Sequence, residues 1–291
     1  MPAARAFGAG PCVTGCRAVA PWASDTTVLS QRIVMRLSRL LAAALVTSVA
    51  SVGVAACGPT EEKKSADAAP AAASPSPSGA AALSAADLIK KAEEANAKVT
   101  SVKLTFDVTS EGTHVSGTVA EDKSGNCVGQ VSQGDQGGFD LMRSGTTVWL
   151  KPDQVFWEKS IGAGTSKTMA GKWLKGGGDN AAVKGMATFC DMGLEALKQL
   201  GKKEDGSDDT AGAVKGGTKQ VGSANAVVIT DKDGDTSAEI AIAAEGEPYL
   251  LEMTVTGKEP ATMTFTDFEK PVTVTPPPAA QVVDASKYLK G

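Results

Sequence analysis

The chain has 291 residues, with 29 basic and 33 acidic side chains, one histidine, five cysteines and a hydrophobic share of 42%. A mildly acidic balance argues against a protein that holds nucleic acid, or docks on anionic lipid, through charge. A single histidine leaves little room for His-dependent catalysis, and the length suits one large domain once the N-terminal segments are set apart.

Arg36 and Arg39 precede the run LLAAALVTSVASVGVAA, which is uncharged from Leu40 to Ala56. Basic residues followed by an apolar run and small residues are the layout of a signal peptide. A spanning helix is the alternative, since roughly 18 apolar residues cross a bilayer. This run is built mostly of Ala, Ser, Thr and Val, however, and it stops at Val54-Ala55-Ala56-Cys57. That tetrapeptide resembles a bacterial lipobox, in which the thiol takes a diacylglycerol and cleavage makes the cysteine the new N-terminus. Cys57 is therefore expected to be a lipid anchor that holds the protein on the outer face of the cell membrane. Each buried methylene contributes about 0.8 kcal/mol, and two acyl chains hold durably where one does not.

Residues 35–56 are then the signal peptide, with Met35 as the start. Residues 1–34, with Cys12, Cys16 and Trp22, show no apolar period and read as an untranslated or disordered extension. The Cys-x-x-x-Cys pair has no other ligand cluster beside it, which disfavours a metal or redox site. Residues 57–83 comprise the lipidated cysteine and an Ala-, Pro- and Ser-rich segment without large apolar side chains, expected to be a flexible tether. Taking residues 1–56 away removes five Arg and one Asp, which leaves 24 basic and 32 acidic residues and a net charge of −8.

The folded domain spans 84–291. Ser84 and Asp87 form an S-x-x-D cap, and Ala85, Leu88, Ile89, Ala92, Ala95 and Val99 recur at helical spacing. The period then changes to two: Val102, Leu104, Phe106 and Val108 face one way, and Lys103, Thr105, Asp107 and Thr109 the other. Val115 and Val119 continue inward, with turns at Glu111-Gly112 and Ser124-Gly125-Asn126, and two more strands meet at Ser144-Gly145. Five strands read as a meander. Residues 153–178 mix aromatic residues with glycines, and within them GAGTSK and GKWLKGGG are expected to be loops. Residues 186–201 form a second amphipathic helix through Phe189, Met192, Leu194, Leu197 and Leu200.

Strands are expected again near 213–222, 225–232, 236–244, 248–257 and 261–268; Tyr249, Leu251, Met253 and Val255 share a face, as do Met263 and Phe265. About ten strands and two substantial helices leave two solutions: a sandwich, or a sheet curled around its helices. Glycines such as Gly117, Gly129 and Gly222 favour curling. Cys127 and Cys190 are the cysteines left in the mature chain beyond the anchor; an exported protein allows them to pair, and two unpaired buried thiols are the alternative.

A capped helix leading into KVTSVKLTFDVT, the segment VWLKPDQVFWEK followed by GKWLK, and the closing FTDFEKPVTVTPPPAAQVVD together resemble the LolA-like lipoproteins of actinobacteria, the group typified by LppX and LprG. The similarity spans nearly all of 84–285 and rests on the order of elements. It implies an α+β fold: a strongly curved antiparallel sheet, or half-open β-barrel, with helices over its concave face and an apolar cavity for the acyl chains of lipids or glycolipids. The expected lining is Leu104, Phe106, Val108, Val115, Val119, Phe139, Leu141, Leu251, Met253, Val255, Met263 and Phe265.

Catalysis is not expected. His114 shares its strand face with Ser116 and Thr118 and faces water, and Gly-x-Ser-x-Gly is absent. Asp231, Asp233 and Asp235 alternate as at the start of a calcium loop, but Gly234 and Glu239 stand at the wrong offsets, so a hairpin turn is expected and no metal or cofactor. Trp157 and Trp173 fit either a ligand mouth or the core; Trp149, opposite Val148 and Leu150, points away from their face. The expected protein is a monomeric, non-enzymatic lipid carrier in the cell envelope. The alternative is an envelope scaffold or sensor of the same fold with a filled interior, acting through protein contacts.

Overall fold

The computed structural model describes residues 79–288, apart from 111, 162, 178–179, 203–205, 209 and 211. The segments expected to be leader, Cys57 anchor and most of the tether lie outside the described residues. Helix α1 (Ala85–Asn96) starts on its predicted cap: Ser84 Oγ accepts the Asp87 N–H at 3.1 Å and donates to Asp87 Oδ2 at 2.7 Å. Leu88, Ile89, Ala92 and Ala95 form its buried stripe.

The predicted meander follows as β1 (Ser101–Ser110), β2 (Thr113–Asp122), β3 (Cys127–Ser132), β4 (Gly138–Ser144) and β5 (Thr147–Pro152). Each strand pairs antiparallel with the next. Gly125 (φ +84°) and Gly145 (φ +56°) occupy left-handed positions at two of its turns, which a side chain would disfavour.

The glycine-rich middle departs from expectation. It holds α2 (Gln154–Ile161), α3 (Ala163–Met169) and β6 (Trp173–Gly176), so GAGTSK runs into a helix and GKWLKGGG carries a strand. Asp153 nucleates α2: its carboxylate accepts the Phe156 N–H at 2.7 Å and, through its other oxygen, the Gly138 N–H at 2.7 Å. Strand β6 exists through its partners, β5 on one side (Leu150 opposite Leu174) and, in parallel, β12 (Val282–Asp284) on the other. Tertiary pairing here overrides a weak local preference. The second predicted helix is also broken, into α4 (Ala181–Ala187), a 3-10 turn (Thr188–Asp191) and α5 (Met192–Gln199). The turn brings Phe189 and Cys190 into the interior together.

The last five long strands, β7 (Val214–Val221), β8 (Ala224–Asp233), β9 (Thr236–Ala243), β10 (Leu250–Thr256) and β11 (Ala261–Thr266), lie where the two-residue period puts them. Asp233 and Thr236 face each other across a hairpin with Gly234 at φ +56°, so the alternating aspartates belong to a turn. Strand β11 returns beside β1, Phe265 opposite Leu104 and Met263 opposite Phe106. The result is one twelve-stranded sheet, ordered β12-β6-β5-β4-β3-β2-β1-β11-β10-β9-β8-β7, mostly antiparallel and not closed into a barrel.

Helices cover one face of this sheet: α5 lies across β1 and β2, α1 against α5 and β9, α2 against β4, and α4 against β5. Gly117 and Gly129 mark close approaches on that face, where a Cβ would stand 2.8 Å from the Phe106 ring and 2.8 Å from the Val119 side chain, respectively. Gly222 is not inside a strand; it sits at φ +59° in the turn between β7 and β8. Gly222 therefore shapes a hairpin and contributes nothing to the bending of a strand.

Candidate functional site

The helix-covered face is one apolar layer, and eleven of the twelve expected lining residues belong to it: Leu104, Phe106, Val108, Val115, Val119, Phe139, Leu141, Met253, Val255, Met263 and Phe265. All are buried, none more than 8% exposed. Leu251 lies elsewhere. The pairing of β10 with β9 slips between Leu250 and Glu252, and this bulge puts Leu250 in the main core while Leu251 joins Val221, Ala226, Ala241 and Ala243 in a second cluster. Ala226 alternates with Val227 and Ile229 of the main core, so the second cluster is on the outer face. An extra residue in one strand shifts its alternation by one, and a strict period of two does not register it. Tyr249 stacks on Phe268 at 4.4 Å beside that cluster.

An aromatic chain crosses the interior. Phe106 stacks on Phe189 at 5.9 Å, Phe189 meets the edge of Phe139 at 6.0 Å, Phe139 meets Phe156 at 6.1 Å, and Phe156 meets Trp157 at 6.4 Å. It links the middle of the sheet, the 3-10 turn and α2. Trp157 is thus an interior residue, and Trp173 is half-buried with the Lys151 ammonium 5.6 Å from its ring centre. Trp149, opposite Met142, is on the outer face as its alternation predicts.

The two ends of the helical cover are held differently. At the end where β1 begins, the turn before α5 is fastened to the sheet by a disulfide between Cys127 and Cys190, which settles the open choice about these cysteines in favour of pairing. Arg143 on β4 adds two bonds to the Asp191 carboxylate, at 2.6 and 2.9 Å, and a third to the Cys190 carbonyl at 3.1 Å. Glu121 on β2 adds a buried carboxyl that accepts the N–H groups of Gly193 and Leu194. Burial pushes its pKa up to about 8; the two backbone bonds oppose that, Asp191 adds to it and Arg143 offsets it. At the opposite end, α2 is joined to the sheet by the Asp153 cap and the aromatic contacts.

Glu121 is legible in the sequence by alternation alone: Val115, Gly117, Val119 and Glu121 share one face, which places a carboxyl indoors. Two further interior polar atoms, Trp157 Nε1 and Ser110 Oγ, are buried without a partner among the described residues. His114 lies on the outer face, half-exposed, 3.0 Å from Asp107 Oδ1. On that side a groove of about 730 Å³ is walled largely by polar residues that already bond one another, Gln130 to Asp140 at 3.0 Å and Lys151 to Asp140 at 3.6 Å among them.

No family model matches the chain, and no curated protein matches it. Solved structures similar to it include LprF from Mycobacterium bovis, at 13% identity over 66% of this chain and 96% of that one, TM-score 0.43. The Pseudomonas aeruginosa MucA/MucB complex is similar at 13% identity over 65% of this chain, TM-score 0.31, and there the match spans 58% of the solved chain. A LolA superfamily protein from Nitrosomonas europaea is similar at 8% identity, over 67% of this chain and 96% of that one, TM-score 0.21. The half-open antiparallel sheet itself stands on the strand pairing above.

Proposed function

We propose that the protein is an extracytoplasmic lipoprotein, tethered through Cys57 to the outer face of the cell membrane, that takes the acyl chains of a lipid or glycolipid between its sheet and its helices and carries or presents that lipid in the envelope. The observation that carries this reading is the composition of the seam. An apolar sheet face reaching from β5 across β1 to β8 is covered by helices of 7 to 12 residues. Short helices held at one end by covalent and ionic contacts and at the other mainly by side-chain packing make a cover that can part. An acyl chain entering there exchanges water for apolar neighbours, worth about 0.8 kcal/mol for each methylene buried.

A second reading has its own support: the eleven inner positions are already filled by one another and by the helices, as expected of a scaffold or sensor that binds protein through its outer face. Native mass spectrometry of the mature chain carrying Cys57→Ser, purified without detergent and extracted with organic solvent, separates the two. A stoichiometric lipid supports the carrier. A bare mass that persists after incubation with envelope lipids overturns it in favour of the scaffold. The anchor has a separate test: Cys57→Ser releases the protein from membranes, and retention there refutes the tether.

A further inference from the structure

Buried donors without acceptors are rare in folded proteins, because desolvation of the group goes uncompensated. Two polar atoms of the inner face are in that position at the same end of the sheet. Trp157 is fully buried on α2, among the core side chains, with no acceptor for its indole N–H among the described residues. Ser110, the last residue of β1, follows Val108 on the inward alternation and is 5% exposed, and its hydroxyl also has no partner among the described residues.

That both lie toward one end of the sheet follows from strand pairing, although Ser110 is on β1 and α2 meets the sheet at β4, three strands away. A row of paired residues runs across the sheet from Asp107 through Ser116 and Ser132 to Gly138, whose N–H donates to the Asp153 carboxylate that caps α2. Helix α2 therefore starts level with the last turn-ward residues of β1, at the end away from the disulfide and Arg143. The third unpartnered atom, Asn96 Nδ2, belongs to a side chain that does accept a bond, from the Leu250 N–H at 3.3 Å, at the other end of β1.

We infer that Trp157 Nε1 donates a hydrogen bond to the carbonyl of an acyl linkage in the bound lipid, so that the ligand class is ester- or amide-linked acyl lipid and ether lipid is discriminated against. This rests on the carrier reading. A single neutral donor in apolar surroundings matches a neutral acceptor that itself borders hydrocarbon. A phosphate or a charged headgroup calls for several donors or a cation, and Phe156, which packs against Trp157, supplies neither. The acyl carbonyl is the one polar atom of such a lipid that travels with its chain into apolar surroundings. Trp157 would then set the depth at which the chains stop, a specificity role separate from the packing of its ring.

The test uses the mature Cys57→Ser chain with two probes, dipalmitoyl phosphatidylglycerol and its dihexadecyl ether analogue, each offered from vesicles. The expected result is an ester preference of about tenfold in Kd, the size a neutral hydrogen bond supports. Trp157→Phe abolishes that preference by weakening the ester lipid alone. Equal affinity of the unsubstituted Trp157 chain for both probes overturns the inference, as does a Trp157→Phe variant that weakens both equally or keeps the preference. Should Trp157→Phe fail to fold, the indole N–H resonances decide the matter in the Trp157 chain: that of Trp157 moves downfield with the ester and not with the ether, and an unmoved resonance overturns the inference. Binding of neither probe, together with a bare mass after exposure to envelope lipids, refutes the carrier reading and this inference with it. Equal binding of both refutes this inference alone.

Discussion

Glu121 Oε1 accepts the backbone N–H of Leu194 at 2.9 Å, so a carboxyl buried in β2 closes the first turn of α5. With its pKa raised from 4.5 to about 8 in the folded protein, this group is protonated in the native state over a range where the unfolded chain has already released its proton. The native state then binds more protons than the unfolded state between about pH 4.5 and 8, and stability falls as pH rises through that window. The contribution is present in full below the unfolded pKa and gone above the folded one. Glu121→Gln keeps the acceptor and removes the titration. Its expected signature is a Tm that exceeds that of the native chain at pH 8, by an effect on the order of a few kcal/mol, and converges with it near pH 4.5. A difference between the two that does not change with pH refutes the assignment.

Gly193 is small because Glu121 is beside it. A Cβ at this position would stand 2.6 Å from Glu121 Oε1, 3.1 Å from Val102 Cγ1 and 3.3 Å from Leu104 Cβ. None of these is a free side-chain end, since all three belong to the inner face of β1 and β2. Gly193→Ala, which helix propensity alone favours by about 1 kcal/mol, is expected instead to destabilise by roughly 1–3 kcal/mol through overpacking. Chemical denaturation reads the sign directly, and a stabilised variant would mean that α5 sits farther from the sheet.

The disulfide joins residues 63 apart in sequence. Loop-closure entropy assigns such a link about 4 kcal/mol. Cys127→Ser with Cys190→Ser should therefore lower the midpoint of urea unfolding substantially and abolish the response of the protein to reductant. Arg143→Ala in that background tests whether the ionic contact to Asp191 holds the turn when the covalent one is gone: the two losses add if the contacts are independent, and the combined loss exceeds their sum if either contact can hold the turn without the other.

Nearly all long strands were legible because they alternate, and α1 because Ser84 and Asp87 announce it. What escaped was set by distance in the chain. Helix α2 depends on Asp153, whose second oxygen is occupied by Gly138 fifteen residues earlier, and β6 depends on β12, more than a hundred residues later. The broken second helix has the same origin, since the turn through Phe189 and Cys190 is shaped by Cys127 and by the aromatic chain. At the candidate site, hydrophobic alternation found eleven inner residues but had no means of weighing a lone carboxyl such as Glu121 or an indole N–H such as that of Trp157, whose meaning lies in which partners surround them.

Leu251 and Met253 give the sharpest test of which face receives a ligand. Two residues apart on β10, they fall on opposite sides of the sheet because of the bulge, and each is 8% exposed, so tryptophan overpacks both sites to a comparable degree. Met253→Trp puts a large ring into the seam beneath the helices and is expected to lower lipid capture severalfold. Leu251→Trp burdens only the outer cluster with Val221 and Ala243 and is expected to leave capture unchanged. Thermal melting of both variants supplies the control: a similar fall in Tm with unequal capture assigns the ligand to the helix-covered face. Equal loss of capture would make both effects consequences of stability, and a loss confined to Leu251→Trp would move the binding surface to the outer face, where a partner protein rather than an acyl chain is the natural occupant.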